Sequence, residues 1–420
     1  MFELKYFAKI AAYEEAEKAA TDPQPLPPFN IEALGTDGIL PRAIRRFTRW
    51  FFLFTFAVLR TVWPVARIGR LVVVTRHADV VRVLNDSEHF PVPFGPEMKA
   101  ITGGEPFALG LDGNEHKMQR DILDALLKRE DAYYLLDRTR YVTEALIKGS
   151  GGRIDVMRDL LGRVFTETCS DYFGLDIDEP NAFLDRSMAI SALLFADPLG
   201  SESTRRLALN GAVRVRYLID RAIARARAPH QAPRPIIPLV DRLVAHRLPC
   251  GGRLKDEVIR AMLIGVMTGM VPTNTLAAGK MIEELQRRGL LQSAVGAAQA
   301  AEKKHKEMME ELERQGLAAD PKAVAAARRN NPYRQALWGI LFETARLNPA
   351  LLPGQFRHAP KATTIGGKPV PAGSVLMVAT MSALRDGRAF SEPWNFDSER
   401  KISPPLMFGD GSHHCPGTYL

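Results

Sequence analysis

The residues with the clearest capacity for chemistry stand in "FGDGSHHCPG", Phe408 to Gly417. A cysteine thiolate is a soft, strong ligand for a transition metal, and it stays charged where N–H donors and positive dipoles converge on it. Gly409 and Gly411 permit tight turns that aim amides at Cys415, and Pro416 suits the first position of a helix whose positive end would face the sulfur. The stretch therefore predicts an ionised Cys415 on a metal. Two plainer readings compete: a buried structural cysteine, or a zinc site using His413 and His414. Zinc needs further ligands at suitable spacing, and the sequence has no Cys-x-x-Cys or partner His pair to supply them.

Several other segments place charged side chains in pairs. In "LDGNEHKMQR", Asp112 reads as an N-cap with Glu115 at the third position, a capping-box pattern. His116 and Arg120, four apart, would then share a helix face and offer two cationic donors to one carboxylate. A solvated basic helix is the plain alternative. "ETAR" sets Glu343 and Arg346 three apart, and as an isolated motif that pair means little. Arg400 in "FDSER" and Arg357 in "QFRHAP" complete the set.

The elements that must hold these residues are mostly helical. The chain has 420 residues, 46% hydrophobic and 25% charged, with no Gly/Ser linker or repeat to mark a boundary, which predicts one large domain. Up to Pro41 it is polar and proline-punctuated. Arg70 to Thr75 reads as a strand and His77 to Leu84 as a helix; helical patterns then follow from Asp112 to about Ala228. Asp256 to Gly289 is one long apolar helix that Gly269 and Pro272 should distort. The Ala/Glu/Lys-rich stretch before Arg329 is a solvated helical excursion, and the helix from Pro332 stops at Asn348-Pro349. Strand-like pieces with Gly-Gly and Pro-Ala-Gly turns precede the cysteine loop. The fold class is mainly α with small β-sheets, an α+β arrangement.

Three cysteines far apart, Cys169, Cys250 and Cys415, argue for a reducing compartment, and the opening residues lack a signal-peptide pattern, so a cytoplasmic protein is expected. The formal charge of +8 brings anionic partners into consideration. Its concentration at Arg42 to Ala66 meets an aromatic run that Arg60 interrupts and that is too short to span a bilayer. It reads either as an interfacial segment, with Trp50, Phe51 and Phe54 in lipid and Arg42, Arg45 and Arg46 at head groups, or as a core helix with a basic start.

The spacing F-G-x-G-x-H-x-C-x-G resembles the haem-ligand loop of the cytochrome P-450 superfamily, with six fixed positions in place; chance would supply that in on the order of one in 10⁶ chains of this length. The order of the other motifs extends the resemblance from about Arg67 onward. It implies the cytochrome P-450 fold and haem b (iron protoporphyrin IX), with Cys415 as the ligand of iron, Phe408 shielding the sulfur and Gly409 shaping the loop. It implies that His116, Arg120, Arg357 and His413 hold propionates, and that Glu343, Arg346 and Arg400 lock the scaffold. The implied activity is a monooxygenase inserting one oxygen atom into a hydrophobic, lipid-like small molecule, with no nucleic-acid partner. A separate electron donor, a ferredoxin or flavodoxin or a reductase, would meet Lys117 and Lys128, because no flavin or nicotinamide fingerprint is present.

The resemblance fails at one place. Where the family carries an acid and an alcohol that relay protons to oxygen, "TGMVPT" puts Val271 and Pro272, leaving Thr273 or Asn274 beside oxygen. A peroxide-using hydroxylase or a hydroperoxide isomerase is therefore the second reading, and a non-catalytic haem sensor or lipid carrier the third. The family also continues beyond the cysteine into a further helix and hairpin, whereas this sequence stops at Leu420.

Overall fold

The computed structural model describes residues 39–195, 202–228, 236–318 and 320–419. The proline-punctuated lead-in lies outside them, as do the side chains of Arg42, Arg45 and Arg46. The first half holds α1 (Ile39–Val62), β1 (Val65–Ile68), β2 (Leu71–Val74), α2 (His77–Asn85), α3 (Gly95–Thr102), α4 (Gly113–Leu126), α5 (Asp131–Gly149), α6 (Arg163–Phe173), α7 (Pro180–Phe195) and α8 (Glu202–Arg227). Then come α9 (Leu239–Ala245), α10 (Asp256–Arg287), α11 (Leu291–Arg314), α12 (Pro321–Arg329) and α13 (Pro332–Leu347). Strands β3 (Gln355–Ala359), β4 (Thr363–Ile365), β5 (Lys368–Val370) and β6 (Ser374–Val378) and the short α14 (Thr380–Ala383) precede the cysteine loop.

The main sheet has the order β1-β2-β6-β3, with β2 and β6 parallel and both other pairings antiparallel. β4 and β5 form a separate hairpin about Gly366 and Gly367, whose positive φ values suit glycine. Alternate strand residues serve two cores. Val72, Val74, Leu376 and Val378 pack with α2, while Ala66, Val73 and Met377 pack with α1. A third and larger core is built by α3 to α10.

The long helix α10 passes through that core, and its apolar composition reflects burial inside protein: over half of its most apolar window is covered. The helix continues through Pro272, whose missing N–H removes one backbone donor. Packing holds it, since Met267, Thr268, Val271 and Pro272 are all buried, and tertiary contact overrides a local propensity. Asp131 on α5 ties helices together as a buried acceptor for Arg242 Nη2 (3.0 Å) and for Tyr172 Oη (2.9 Å).

The segment between α5 and α6 has a feature that residue patterns did not signal. Val156–Gly162 winds as a π-helix, capped by the Asp155 carboxylate, which accepts from the amides of Met157 and Arg158. Gly162 ends it where a Cβ would stand 2.3 Å from Leu184.

Candidate functional site

Three elements converge on Cys415: the loop that carries it, the helix α4 and the strand β3. The loop is a close turn in which the Cys415 amide donates to Phe408 O (2.9 Å) and the Gly417 amide hydrogen-bonds the sulfur. Gly409 and Gly411 take φ of +76° and +69°, where glycine is favoured. At Gly411 a Cβ would lie 2.4 Å from Leu84 O, so the loop presses against the end of α2. The Phe408 ring meets Phe342 of α13 at 5.9 Å between centroids.

The loop's last turn and its burial both bear on the sulfur. Pro416 opens a single 3-10 turn, Pro416–Tyr419, and no α-helix is aimed at the sulfur among the described residues. Burial pushes the Cys415 thiol up, against the pull of the Gly417 amide and of Arg120. In the bare protein desolvation outweighs the local dipoles; a bound cation would favour the thiolate.

Helix α4 supplies the cationic wall. Arg120 donates through Nη1 to His414 O and through Nε to Asp124 (2.8 Å), which fixes the carbonyl next to the cysteine. His116 is buried, and its ring lies 4.2 Å from that of His413. Desolvation, with His413 and Arg120 nearby, lowers the His116 pKa to about 4, so the expected pair of cations is one cation and one neutral imidazole.

Asp112 is the N-cap residue of α4 but not a capping box: its side chain makes no cap bond. The carboxylate instead accepts the Val92 amide (3.1 Å) and meets His413 Nε2 at 3.1 Å, joining the start of α4 to the cysteine loop. Sequence reasoning missed this role. The signal was available in that Asp112 and His413 belong to the two motifs that had to meet.

Strand β3 brings Arg357, 2% exposed. Its Nη1 donates to Phe356 O (2.8 Å), while Nη2 is buried without a partner. Burial lowers the Arg357 pKa to about 10, and Asp112 opposes the fall. A buried guanidinium nitrogen with nothing to donate to is costly, and a carboxylate of a bound group would satisfy it.

Behind the loop, Glu343 and Arg346 are both buried and joined by two bonds of 2.7 and 2.6 Å. Arg346 also donates to Leu384 O and Pro393 O, and Arg400 Nε donates to Glu343 Oε1 (3.1 Å). One carboxylate and two guanidiniums thus pin the segment that leads into the cysteine loop onto α13.

Thr273 and Asn274 lie on a stripe of α10 that also carries Val266, Gly269, Met270 and Ala277, all half-buried. Their spacing of three and four makes one helix face, and a Cβ built on Gly269 meets no atom within 4 Å. At Gly269 the helix therefore borders open space. The Thr273 hydroxyl is bonded back to Gly269 O, while Val271 and Pro272 point away from the space into the core. No hydrogen bond or ring contact among the described residues joins Thr273 or Asn274 to the cysteine loop.

The residues fit haem: Arg357 has an orphaned buried guanidinium nitrogen, and Cys415 is a thiol ligand in a close loop beside the cationic wall of α4. The description "Cytochrome P450" matches residues 301–420. With the relatives and structures below, that match indicates the cytochrome P450 superfamily. Erythromycin C-12 hydroxylase of Saccharopolyspora erythraea is 26% identical over 83% of this chain and 77% of that relative. The vitamin D(3) 25-hydroxylase of Pseudonocardia autotrophica is 23% identical over 87% and 81%. Among solved structures, a mutant of P450 EryK in complex with erythromycin B superposes with a TM-score of 0.68 at 24% identity, over 89% of this chain and 85% of that one. These structures share the cytochrome P450 fold.

Proposed function

We propose that this chain is a haem-thiolate monooxygenase that inserts one oxygen atom into a hydrophobic small molecule. Haem held by Cys415 supplies the activation of dioxygen. The cofactor is haem b, kept without covalent attachment, because the sequence has no Cys-x-x-Cys-His. Arg357 offers its unused Nη2 to one propionate, and Arg120, His413 and the neutral His116 surround the other. Phe408 covers the sulfur from the side of Phe342, and Gly409 gives the loop its turn. Glu343, Arg346 and Arg400 keep that loop in place.

The apolar stripe of α10 orients a hydrophobic substrate and excludes water. Two relatives are named as hydroxylases of erythromycin and of vitamin D(3), and a small-molecule substrate is carried over from them. Asn274 is the amide on the stripe and holds a water for proton delivery; Thr273 shares its hydroxyl with Gly269 O. Electrons come from a separate acidic ferredoxin or flavodoxin in the cytoplasm. Lys128 is the exposed charge for it, since Lys117 already pairs with Asp121 at 2.6 Å.

The observation that carries the reading is the Cys415 loop set against the orphaned Arg357. Its test is a carbon monoxide difference spectrum of reduced protein, wild type beside Cys415→Ala. Thiolate ligation gives a strongly red-shifted band that the substitution abolishes; an unchanged band in the variant rejects the reading.

A second reading rests on one further observation. Where family members carry an acid and alcohol, Val271 and Pro272 are buried away from the open face, which favours an oxidant that arrives as a peroxide. Turnover with hydrogen peroxide or a lipid hydroperoxide and no reductant selects this hydroxylase or isomerase. A spectral shift on ligand binding with no turnover under either regime selects a haem sensor or carrier.

A further inference from the structure

A cleft of about 300 Å³ opens between α5, α11, α12 and α13, and none of its lining residues belongs to the cysteine loop or to α4. Its floor is apolar. Leu337, Trp338 and Leu341 of α13, three and four residues apart and so on one face, share the lining with Leu136 of α5 and Ala301 of α11. The small side chain at Ala301 leaves room that a longer one would fill. Trp338 is backed by Phe342, with ring centroids 4.7 Å apart, and remains 55% exposed, so the indole has a face left for a ligand.

The walls are tied to one another. Arg140 of α5 donates to Glu302 of α11 (3.1 Å), Arg328 of α12 to Asp137 of α5 (3.1 Å), and Asn331 Nδ2, at the N-cap of α13, to Ala301 O (2.7 Å). Both carboxylates of the cleft are thereby engaged by arginines. Arg334, on the same face of α13 as Trp338, is left over: it is half-buried, and its guanidinium makes no hydrogen bond or ion pair among the described residues. Burial, and after it the charge of Arg328, lower the Arg334 pKa, with Tyr133 and Asp137 opposing. His305 completes the polar lining, and desolvation lowers its pKa, so its imidazole is neutral at pH 7. One uncompensated positive charge thus stands over an apolar floor.

We propose that this cleft binds a small amphipathic carboxylate, its anionic end paired with Arg334 and its aromatic or alkyl body laid on Trp338 and Leu341. Charge selects this occupant, because a guanidinium accepts a carboxylate through two parallel N–H bonds, whereas a neutral or cationic ligand leaves Arg334 uncompensated. Size selects it too, since the volume stands at the lower end of the range for ligand sites. The cleft shares no residue with the haem-binding set, so the proposal is independent of the cysteine site.

The test is isothermal titration calorimetry of the full chain with hydrocinnamate, beside its neutral amide, for the wild type, Arg334→Gln and Ala301→Leu. The wild type binds the carboxylate with a Kd of about 1 mM or tighter, and the amide at least about tenfold more weakly. Arg334→Gln loses about tenfold or more in affinity for the carboxylate. Ala301→Leu keeps every arginine but fills the cleft, and it loses both ligands while its circular dichroism matches wild type. Equal binding by the wild type and Arg334→Gln, equal affinity for acid and amide, or no binding by the wild type overturns the proposal. Should Arg334→Gln fail to fold, Ala301→Leu decides, and undiminished binding in it overturns the proposal. A haem absorption shift that tracks the titration places the probe beside α10 and overturns it as well. Loss of the carbon monoxide band in the wild type would count against the haem reading and leave the calorimetry standing on its own.

Discussion

His116 gives the molecule a pH signature. Burial holds its imidazole at about 4, against 6.5 for the unperturbed group. Between those values the unfolded chain takes up a proton that the folded chain refuses. Stability therefore falls as pH drops from about 6.5 towards 4, by up to about 3 kcal/mol, and the contribution is flat above that window. His116→Gln should flatten this slope, which urea unfolding at pH 7 and pH 5 measures directly. Arg346 tests a different debt. Arg346→Ala leaves the buried Glu343 carboxylate with Arg400 and the Asp397 amide, and a loss of about 3–5 kcal/mol in unfolding free energy is expected. At the open face, Asn274→Ala should lower product formed per electron consumed on the order of tenfold, with the carbon monoxide spectrum unchanged.

Helix α13 reaches the cysteine segment by close approach as well as by charge. A Cβ on Gly339 would sit 2.2 Å from Ser398 O, two residues before Arg400. Gly339→Ala must push that backbone away, so a loss of about 1–3 kcal/mol in thermal or urea unfolding is expected, along with weaker haem retention. Element by element, the sequence was most legible where one segment carried its own signal. The length of α10 followed from its apolar run, and the helix over His77 to Asn85 from its period. That α10 continues past Pro272 depends on packing, since Val271 and Pro272 are both buried. β1 was hidden inside the basic and aromatic run before it, and the π-helix at Val156–Gly162 has no residue pattern of its own.

At the scale of the molecule, the candidate site was legible as motifs and not as contacts. Cys415, Glu343, Arg346 and Arg400 could be placed by order and spacing. The pairing of Asp112 with His413, and the orphaned nitrogen of Arg357, depend on segments hundreds of residues apart meeting, which no window of sequence contains. The same distance governs electron delivery. On α4 the pairs Lys117–Asp121 and Arg120–Asp124 cancel much of the surface charge, leaving Lys128 to steer a donor. Lys128→Glu should slow reduction by an acidic ferredoxin several-fold at low salt and make little difference at high salt, as stopped-flow traces would register.

The parallel pairing of β2 with β6 has a consequence for biosynthesis. Leu71 is matched with Val375, so the N-terminal hairpin leaves the ribosome about 300 residues before its neighbour. At about 5–20 residues per second, that interval is roughly 15–60 s. Throughout it the nascent chain displays an unpaired strand edge, and completing the sheet must await the synthesis of β6.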